Sequence, residues 1–140
     1  MRVAAAACLF VAACATTPAP PAERLAGCWI SRDGAVTTTM RWLPDAERPG
    51  ALAGARLAYG ADSAVSNTDY SLEPSAAGTS LCELGADGAA VRCWQVAEGE
   101  GGSLESGRAF IDTHRERMRI TIIGDGPDQV IFAGSRDGCD

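Results

Sequence analysis

The chain has 140 residues, and its 18 acidic residues outnumber its 12 basic residues, which gives a net charge of −6. This length is enough for one small domain but not for two. An acidic chain without a basic block is a poor candidate for binding nucleic acid, and it offers no polybasic patch to anionic lipid.

The first fifteen residues are typical of an export signal. Arg2 precedes an uncharged, alanine-rich run from Val3 to Ala13 that is too short to cross a bilayer as a helix. Val11-Ala12-Ala13-Cys14 resembles the signal of bacterial lipoproteins, in which the cysteine is lipidated and becomes the first mature residue. Two alternatives are cleavage at an ordinary Ala13-Cys14-Ala15 site, which would give a soluble periplasmic protein, and a retained hydrophobic helix, which the proline-rich segment that follows disfavours.

Lipidation at Cys14 predicts a cell-envelope location. Alanine rather than aspartate follows Cys14, which by the bacterial sorting pattern favours the outer membrane, with the protein facing the periplasm. We therefore predict a signal peptide over residues 1–13, a lipidated, proline-rich tether over 14–24 and one globular domain over 25–140. Clustered prolines favour extended polyproline II in the tether.

Beyond the tether, short runs of β-forming residues alternate with clusters of glycine, aspartate, proline and serine, as in an all-β sandwich or barrel. A helical turn at Ala22–Leu25 is expected before the first run. Tight hairpin turns are expected at Asp33-Gly34, Asp87-Gly88 and Asp125-Gly126, because these residues tolerate positive φ, and Glu98–Ser106 is expected to be a flexible loop. The predicted strands are Cys28–Ser31, Val36–Leu43, Ala51–Tyr59, Thr68–Glu73, Ser80–Leu84, Ala90–Ala97, Arg108–Thr113, Met118–Ile123 and Gln129–Ala133.

Four cysteines remain after the tether, and an even number in an exported chain indicates disulfides. Cys82 and Cys93 are equidistant from the Asp87-Gly88 turn, so a hairpin with a four-residue loop would make them a facing, non-hydrogen-bonded pair. If the sheet closes into a barrel, its first and last strands run antiparallel, and Cys28 meets Cys139. Metal binding is the alternative for these cysteines, but the absence of a Cys-x-x-Cys pair makes a zinc site unexpected.

Gly27-Cys28-Trp29 is similar to the Gly-x-Trp signature of lipocalins and the wider calycin group. More of the chain resembles a family of small, exported, uncharacterised bacterial proteins with a lipocalin-like barrel that open with Leu-Ala-Gly-Cys-Trp, here Leu25–Trp29. The resemblance implies a single antiparallel up-and-down β-barrel of about 8–10 strands. The chain departs from that family at Ile111–Arg117, where a proline-containing turn is missing. Other matching segments are Arg41–Pro44, Gly50–Ala55, Arg108–Phe110, His114 and Arg119–Ile122.

The first candidate function is binding of a small apolar or amphipathic ligand inside the barrel. The strand with Ala51, Ala53, Gly54 and Ala55 would leave room there, although a flattened barrel could also close that space. The candidate contact residues are Trp29, Trp42, Tyr59, Tyr70 and Arg119.

Several of these residues have a structural interpretation as well. Trp29 could plug the closed end of the barrel and stack on an arginine, and the resemblance assigns that arginine to position 119. Arg115, Arg117 and Arg119 share one face of an extended segment, so they form either an anion-binding stripe or an ordinary solvated surface.

The second candidate function is that of an envelope interaction protein, such as an inhibitor of a lytic enzyme or protease, which acts through its loops. No catalytic constellation is visible: there is no Gly-x-Ser-x-Gly elbow, and the carboxylate pair Asp125/Asp128 falls in a turn. His114, the only histidine, lies beside charged residues, which disfavours haem. We expect no enzyme activity, cofactor or metal. The expected partners are a small hydrophobic ligand or an envelope protein, with the membrane reached only through the lipid.

Overall fold

The computed structural model of the protein describes residues 19–60, 65–97 and 106–139. Cys14, the predicted signal peptide, the first part of the tether and most of the Glu98–Ser106 loop lie outside these ranges. The described residues form one short helix and nine strands, and each predicted strand overlaps one of them. In chain order they are α1 (Pro21–Leu25), β1 (Gly27–Asp33), β2 (Val36–Pro44), β3 (Leu52–Tyr59), β4 (Val65–Ser75), β5 (Gly78–Leu84), β6 (Ala90–Ala97), β7 (Arg108–His114), β8 (Arg117–Ile122) and β9 (Gln129–Asp137).

The nine strands form a closed barrel in which each strand pairs with its neighbours in sequence, and β9 closes the sheet on β1. All pairs are antiparallel except β6 and β7, which are parallel, with Gln95 opposite Arg108. An uninterrupted meander with an odd number of strands would bring its first and last strands together in parallel. The one parallel step therefore makes the β1–β9 pair antiparallel, and closure leaves no strand edge free along the paired segments.

Both predicted disulfides are present. Cys28 is bonded to Cys139, with Cα atoms 5.3 Å apart, and Cys82 to Cys93, with Cα atoms 4.0 Å apart. The shorter separation fits a directly opposed, non-hydrogen-bonded pair. The loop between β5 and β6 is not the predicted four-residue loop, because Leu84 pairs with Ala90 and the intervening residue of β6 is bulged. The bulge changes the register near the turn but leaves the two cysteines opposed.

Two of the three predicted turns occur where expected. Gly34 (φ 65°) and Gly88 (φ 77°) both have the positive φ that a tight turn requires. The prediction at Asp125-Gly126 is wrong: residues 123–128 form a longer connection between β8 and β9, and Gly126 is not among the residues with positive φ.

The barrel is filled at the end covered by α1. Leu25 at the end of α1 is fully buried, and Trp29 donates its Nε1–H to the Leu25 carbonyl oxygen at 2.8 Å. Residues 21–24, assigned above to the tether, form the rest of this helix. Each buried side chain of this size stabilises the fold by about 1.5–3 kcal/mol, so the packed end contributes strongly to stability. The inward side chains there are at most 1% exposed: Trp29, Met40, Trp42, Leu72 and Leu81.

Strand β3 does not leave the room that its small residues suggested. Ala53 points to solvent, whereas Gly54 faces the interior and is covered by the indole ring of Trp42. A Cβ atom added at Gly54 would lie 2.7 Å from both Cε3 and Cη2 of that ring. The glycine therefore makes space for a buried tryptophan and not for a ligand.

Candidate functional site

The five predicted contact residues do not form one site. Trp29, Trp42 and Tyr70 lie inside the barrel and are at most 5% exposed. Tyr59, at the end of β3, and Arg119, in β8, lie on the outer surface, because they alternate with inward-facing neighbours. A single ligand inside the barrel cannot contact all five.

The arginine that covers Trp29 is Arg136, so the assignment of Arg119 to this position is wrong. The guanidinium carbon of Arg136 lies 4.3 Å from the ring centroid of Trp29, and the two residues are paired across β1 and β9. Arg136 also donates to the carbonyl oxygens of Arg24 (3.4 Å) and Ala26 (3.1 Å), at the end of α1. These contacts fasten the helix over the plugged end of the barrel.

A groove opens in the barrel wall where β1 separates from β9. The ladder between these strands ends at Ile30 and Ser135, and the groove continues from there with a volume of about 570 Å³. This volume lies within the range of small-molecule sites. The lining comes from the second half of β1, the middle of β9 and the β7–β8 hairpin: Ile30, Ser31, Arg32, Asp33, Asp112, His114, Arg117, Met118, Arg119, Ala133, Gly134 and Ser135.

The groove lining contains three arginines and two aspartates, Asp33 and Asp112, beside apolar residues, and Asp112 lies opposite Arg119 in the β7–β8 ladder. Among the described residues, Arg32, Arg117 and Arg119 take part in no ion pair or hydrogen bond, and all three are exposed. Half-buried Ile30 supplies apolar surface beside the guanidinium groups, and Met118, which is 2% exposed, lies at the base of the groove lining. Guanidinium groups bind carboxylate and phosphate with two parallel hydrogen bonds. The arrangement is suited to a molecule with an anionic head and an apolar body.

A second group of polar residues faces the interior at the open end of the barrel. Tyr70, Glu83 and Arg92 are paired side by side across β4, β5 and β6. Glu83 accepts hydrogen bonds from Nε (3.0 Å) and Nη2 (2.8 Å) of Arg92. Because side chains alternate along a strand, Glu83 and Arg92 lie on the same face of the sheet as the buried Leu81. This ion pair is therefore at the mouth of the barrel.

Arg56 crosses the interior from β3 to β9. Its Nε–H donates to the carbonyl oxygen of Ile131 at 2.9 Å. Ile131 is the residue bulged out of the β8–β9 ladder, between the pairs Ile120–Phe132 and Thr121–Val130. The arginine thus binds a carbonyl group at a point where the ladder is interrupted.

Tyr70 links this group to the packed core. Its ring centroid lies 6.5 Å from that of Trp42. Burial raises the pKa of the Tyr70 phenol, the charge of Glu83 raises it further, and Arg56 and Arg92 lower it to a smaller degree. The phenol therefore stays protonated at neutral pH and is available as a hydrogen-bond donor. We call Arg56, Tyr70, Glu83 and Arg92, together with Trp42 at the boundary with the packed core, the mouth cluster.

A second, smaller cavity of about 320 Å³ lies beside the Cys28–Cys139 disulfide, on the outer surface of β1, β2 and β3. Its charged residues are Arg41 and Asp137. Within the described ranges, no three histidine, cysteine or acidic side chains come together to hold a metal ion. No helix in those ranges is long and apolar enough to cross a membrane.

The chain was compared with protein-family models, with curated proteins and with solved structures, and none of them matched. The candidate function therefore depends on the geometry of the groove and of the mouth cluster.

Proposed function

We propose that the protein is an envelope lipoprotein whose barrel binds a small amphipathic anion in the wall groove. The observation that carries this proposal is a set of three arginines, Arg32, Arg117 and Arg119, that form no ion pair with another described residue and that lie beside Ile30 in the groove. The anionic head of the ligand pairs with the guanidinium groups, and its body covers the apolar surface.

The filled end of the barrel argues against a purely apolar ligand deep inside. Trp42 and Leu81 are fully buried in the same hydrophobic core, and the guanidinium group of Arg136 covers the ring of Trp29. A ligand reaches the protein more readily at the wall than through this core. The proposal therefore narrows the expected ligand from apolar or amphipathic to amphipathic with a negative charge.

The envelope assignment is supported by the signal at Val11–Cys14 and by the two disulfides. Disulfides persist in oxidising compartments such as the periplasm. The resemblance to exported lipocalin-like barrels agrees with the same location. Metabolic labelling with palmitate tests this part of the proposal: the wild-type chain is expected to incorporate label, and Cys14→Ser is expected not to.

Calorimetric titration with decanoate and with decanol tests the groove. The two probes share an apolar chain and differ in charge, so decanoate is expected to bind and decanol to bind at least about tenfold more weakly. The double variant Arg117→Gln/Arg119→Gln is expected to lose decanoate binding. Arg41→Gln, beside the smaller cavity, is the control and should bind as the wild type does. Equal affinity for both probes, or decanoate binding that survives the double variant, would refute the proposal.

The alternative function, an envelope interaction protein, is favoured by a different observation. Large apolar side chains are exposed in four separate strands at the open end: Val36, Tyr59, Val91 and Val130. Aspartates occupy or flank the turns there, at Asp33, Asp87 and Asp125, so a basic partner would fit. Inhibition of a basic muramidase by the wild type but not by Val91→Asp would support this function. Full muramidase activity at excess wild-type protein would count against it.

A further inference from the structure

We propose that the mouth cluster is a second binding site, separate from the wall groove, and that it takes a small oxyanion such as a carboxylate or phosphate. Arg56, Tyr70 and Trp42 supply the hydrogen-bond donors for this anion. The site goes beyond the proposed function, because none of these residues lines the groove.

Arg56 provides the charge. It is half-buried, and its one hydrogen-bond acceptor among the described residues is the neutral carbonyl of Ile131. The carboxylate within the cluster, Glu83, is already engaged by two hydrogen bonds from Arg92. A cation that is partly withdrawn from water without a counter-charge is costly, and a bound anion offsets that cost.

Two uncharged hydrogen-bond donors, the Trp42 indole and the Tyr70 hydroxyl, also favour an oxyanion. The indole nitrogen of Trp42 is buried and has no hydrogen-bond partner in the described part of the chain. It lies on the edge of the ring opposite to the atoms that cover Gly54. The Tyr70 hydroxyl likewise donates no hydrogen bond to another described residue. For the buried indole N–H of Trp42, the lack of an acceptor costs about 1–3 kcal/mol.

The remaining residues limit the size of the anion and its route of entry. Tyr70 is 5% exposed, so there is little free surface next to it for a large ligand. Arg92 is about half exposed at the mouth, and its guanidinium carbon lies 5.3 Å from the centroid of the Trp94 ring. Its ion pair with Glu83 therefore lies on the solvent side of Tyr70. The two neutral donors and the planar guanidinium of Arg56 suit an oxyanion better than a halide, because an oxyanion presents several acceptor atoms.

Nuclear magnetic resonance of the indole groups tests the proposal on the whole protein. The ¹⁵N–¹H signal of Trp42 is followed while sodium phosphate or sodium acetate replaces sodium chloride at constant ionic strength. A saturable shift of the Trp42 signal with at least one of the two anions is expected. The Trp29 signal is the internal control and should not move, because its N–H is already bonded to Leu25.

Variants then identify the residues. Tyr70→Phe removes one donor while it keeps the ring, and it is expected to weaken anion binding about tenfold. Tyr59→Phe, on the outer surface, is the matched control and should leave the affinity unchanged. Arg56→Gln is a second variant, expected to abolish the shift, and the Trp29 signal reports whether each variant remains folded.

The result that would overturn the proposal is a linear, unsaturated drift of the Trp42 signal with both anions. Equal affinity of Tyr70→Phe and the wild type would also overturn it. The groove variant Arg117→Gln/Arg119→Gln should keep its affinity for phosphate or acetate. The two proposals can thus fail independently of each other.

Discussion

Replacement of Gly54 by alanine should destabilise the barrel strongly, because its interior is filled at this point. The added Cβ would lie 2.7 Å from Cε3 and Cη2 of Trp42, and closer still to Cζ3. The indole is fully buried, and three of its ring carbons already cover the Gly54 backbone. Overpacking of a core costs about 1–3 kcal/mol, and this contact belongs at the upper end. For a domain of this size, that loss lowers the Tm by roughly 10 °C.

Urea unfolding followed by circular dichroism, with both disulfides intact, measures this loss. Gly60→Ala is the matched control: apart from its chain neighbours, no described residue has a heavy atom within 4 Å of the Cβ position, and its φ is not in the left-handed region. Its stability should stay within about 0.5 kcal/mol of the wild type. In a Trp42→Phe background the cost of Gly54→Ala should shrink, because a smaller ring leaves room for the methyl group. Equal stabilities of Gly54→Ala and Gly60→Ala would refute a packed interior.

Three further predictions concern the plug, a disulfide and the mouth cluster. Arg136→Ala should lose about 1–3 kcal/mol in urea unfolding through its contacts with the plugged end, whereas Arg119→Ala should change stability by less than about 0.5 kcal/mol. Replacement of Cys28 and Cys139 by serine opens the longer loop and should cost about 4–5 kcal/mol, against about 3 kcal/mol for the hairpin disulfide. In an ultraviolet pH titration, Tyr70 should ionise above the usual pKa of about 10. Since the unfolded phenol releases its proton first, stability falls as the pH rises above that value.

The strands could be predicted from the sequence because each carries its own local signal. In β8, for example, Met118 and Ile120 alternate with arginines, and this alternation marks both the strand and its buried face. The Cys82–Cys93 bond was predictable for the same reason, since a hairpin register depends on residues close in sequence. The Cys28–Cys139 bond followed only from the assumption that the sheet closes.

The site was harder to predict because it depends on contacts between distant strands. Arg56 and Ile131 lie 75 residues apart, and a bulge that no local pattern indicates provides the carbonyl that joins them. From the sequence, the arginine that stacks on Trp29 could have come from β8 or from β9. The β1–β9 register pairs Trp29 with Arg136. One signal in the sequence could have located part of the mouth cluster: in the predicted hairpin, the register that opposes the cysteines also opposes Glu83 and Arg92.

Mapping the decanoate-binding site on the folded protein tests most directly whether the ligand binds in the wall groove. Backbone amide signals in the ¹⁵N–¹H spectrum are followed during a decanoate titration. The proposed function predicts the largest shifts at Arg32, Met118 and Gly134, which line the groove from three different strands. Shifts centred on Leu72 and Trp42 in the core, with the groove signals unchanged, would contradict it.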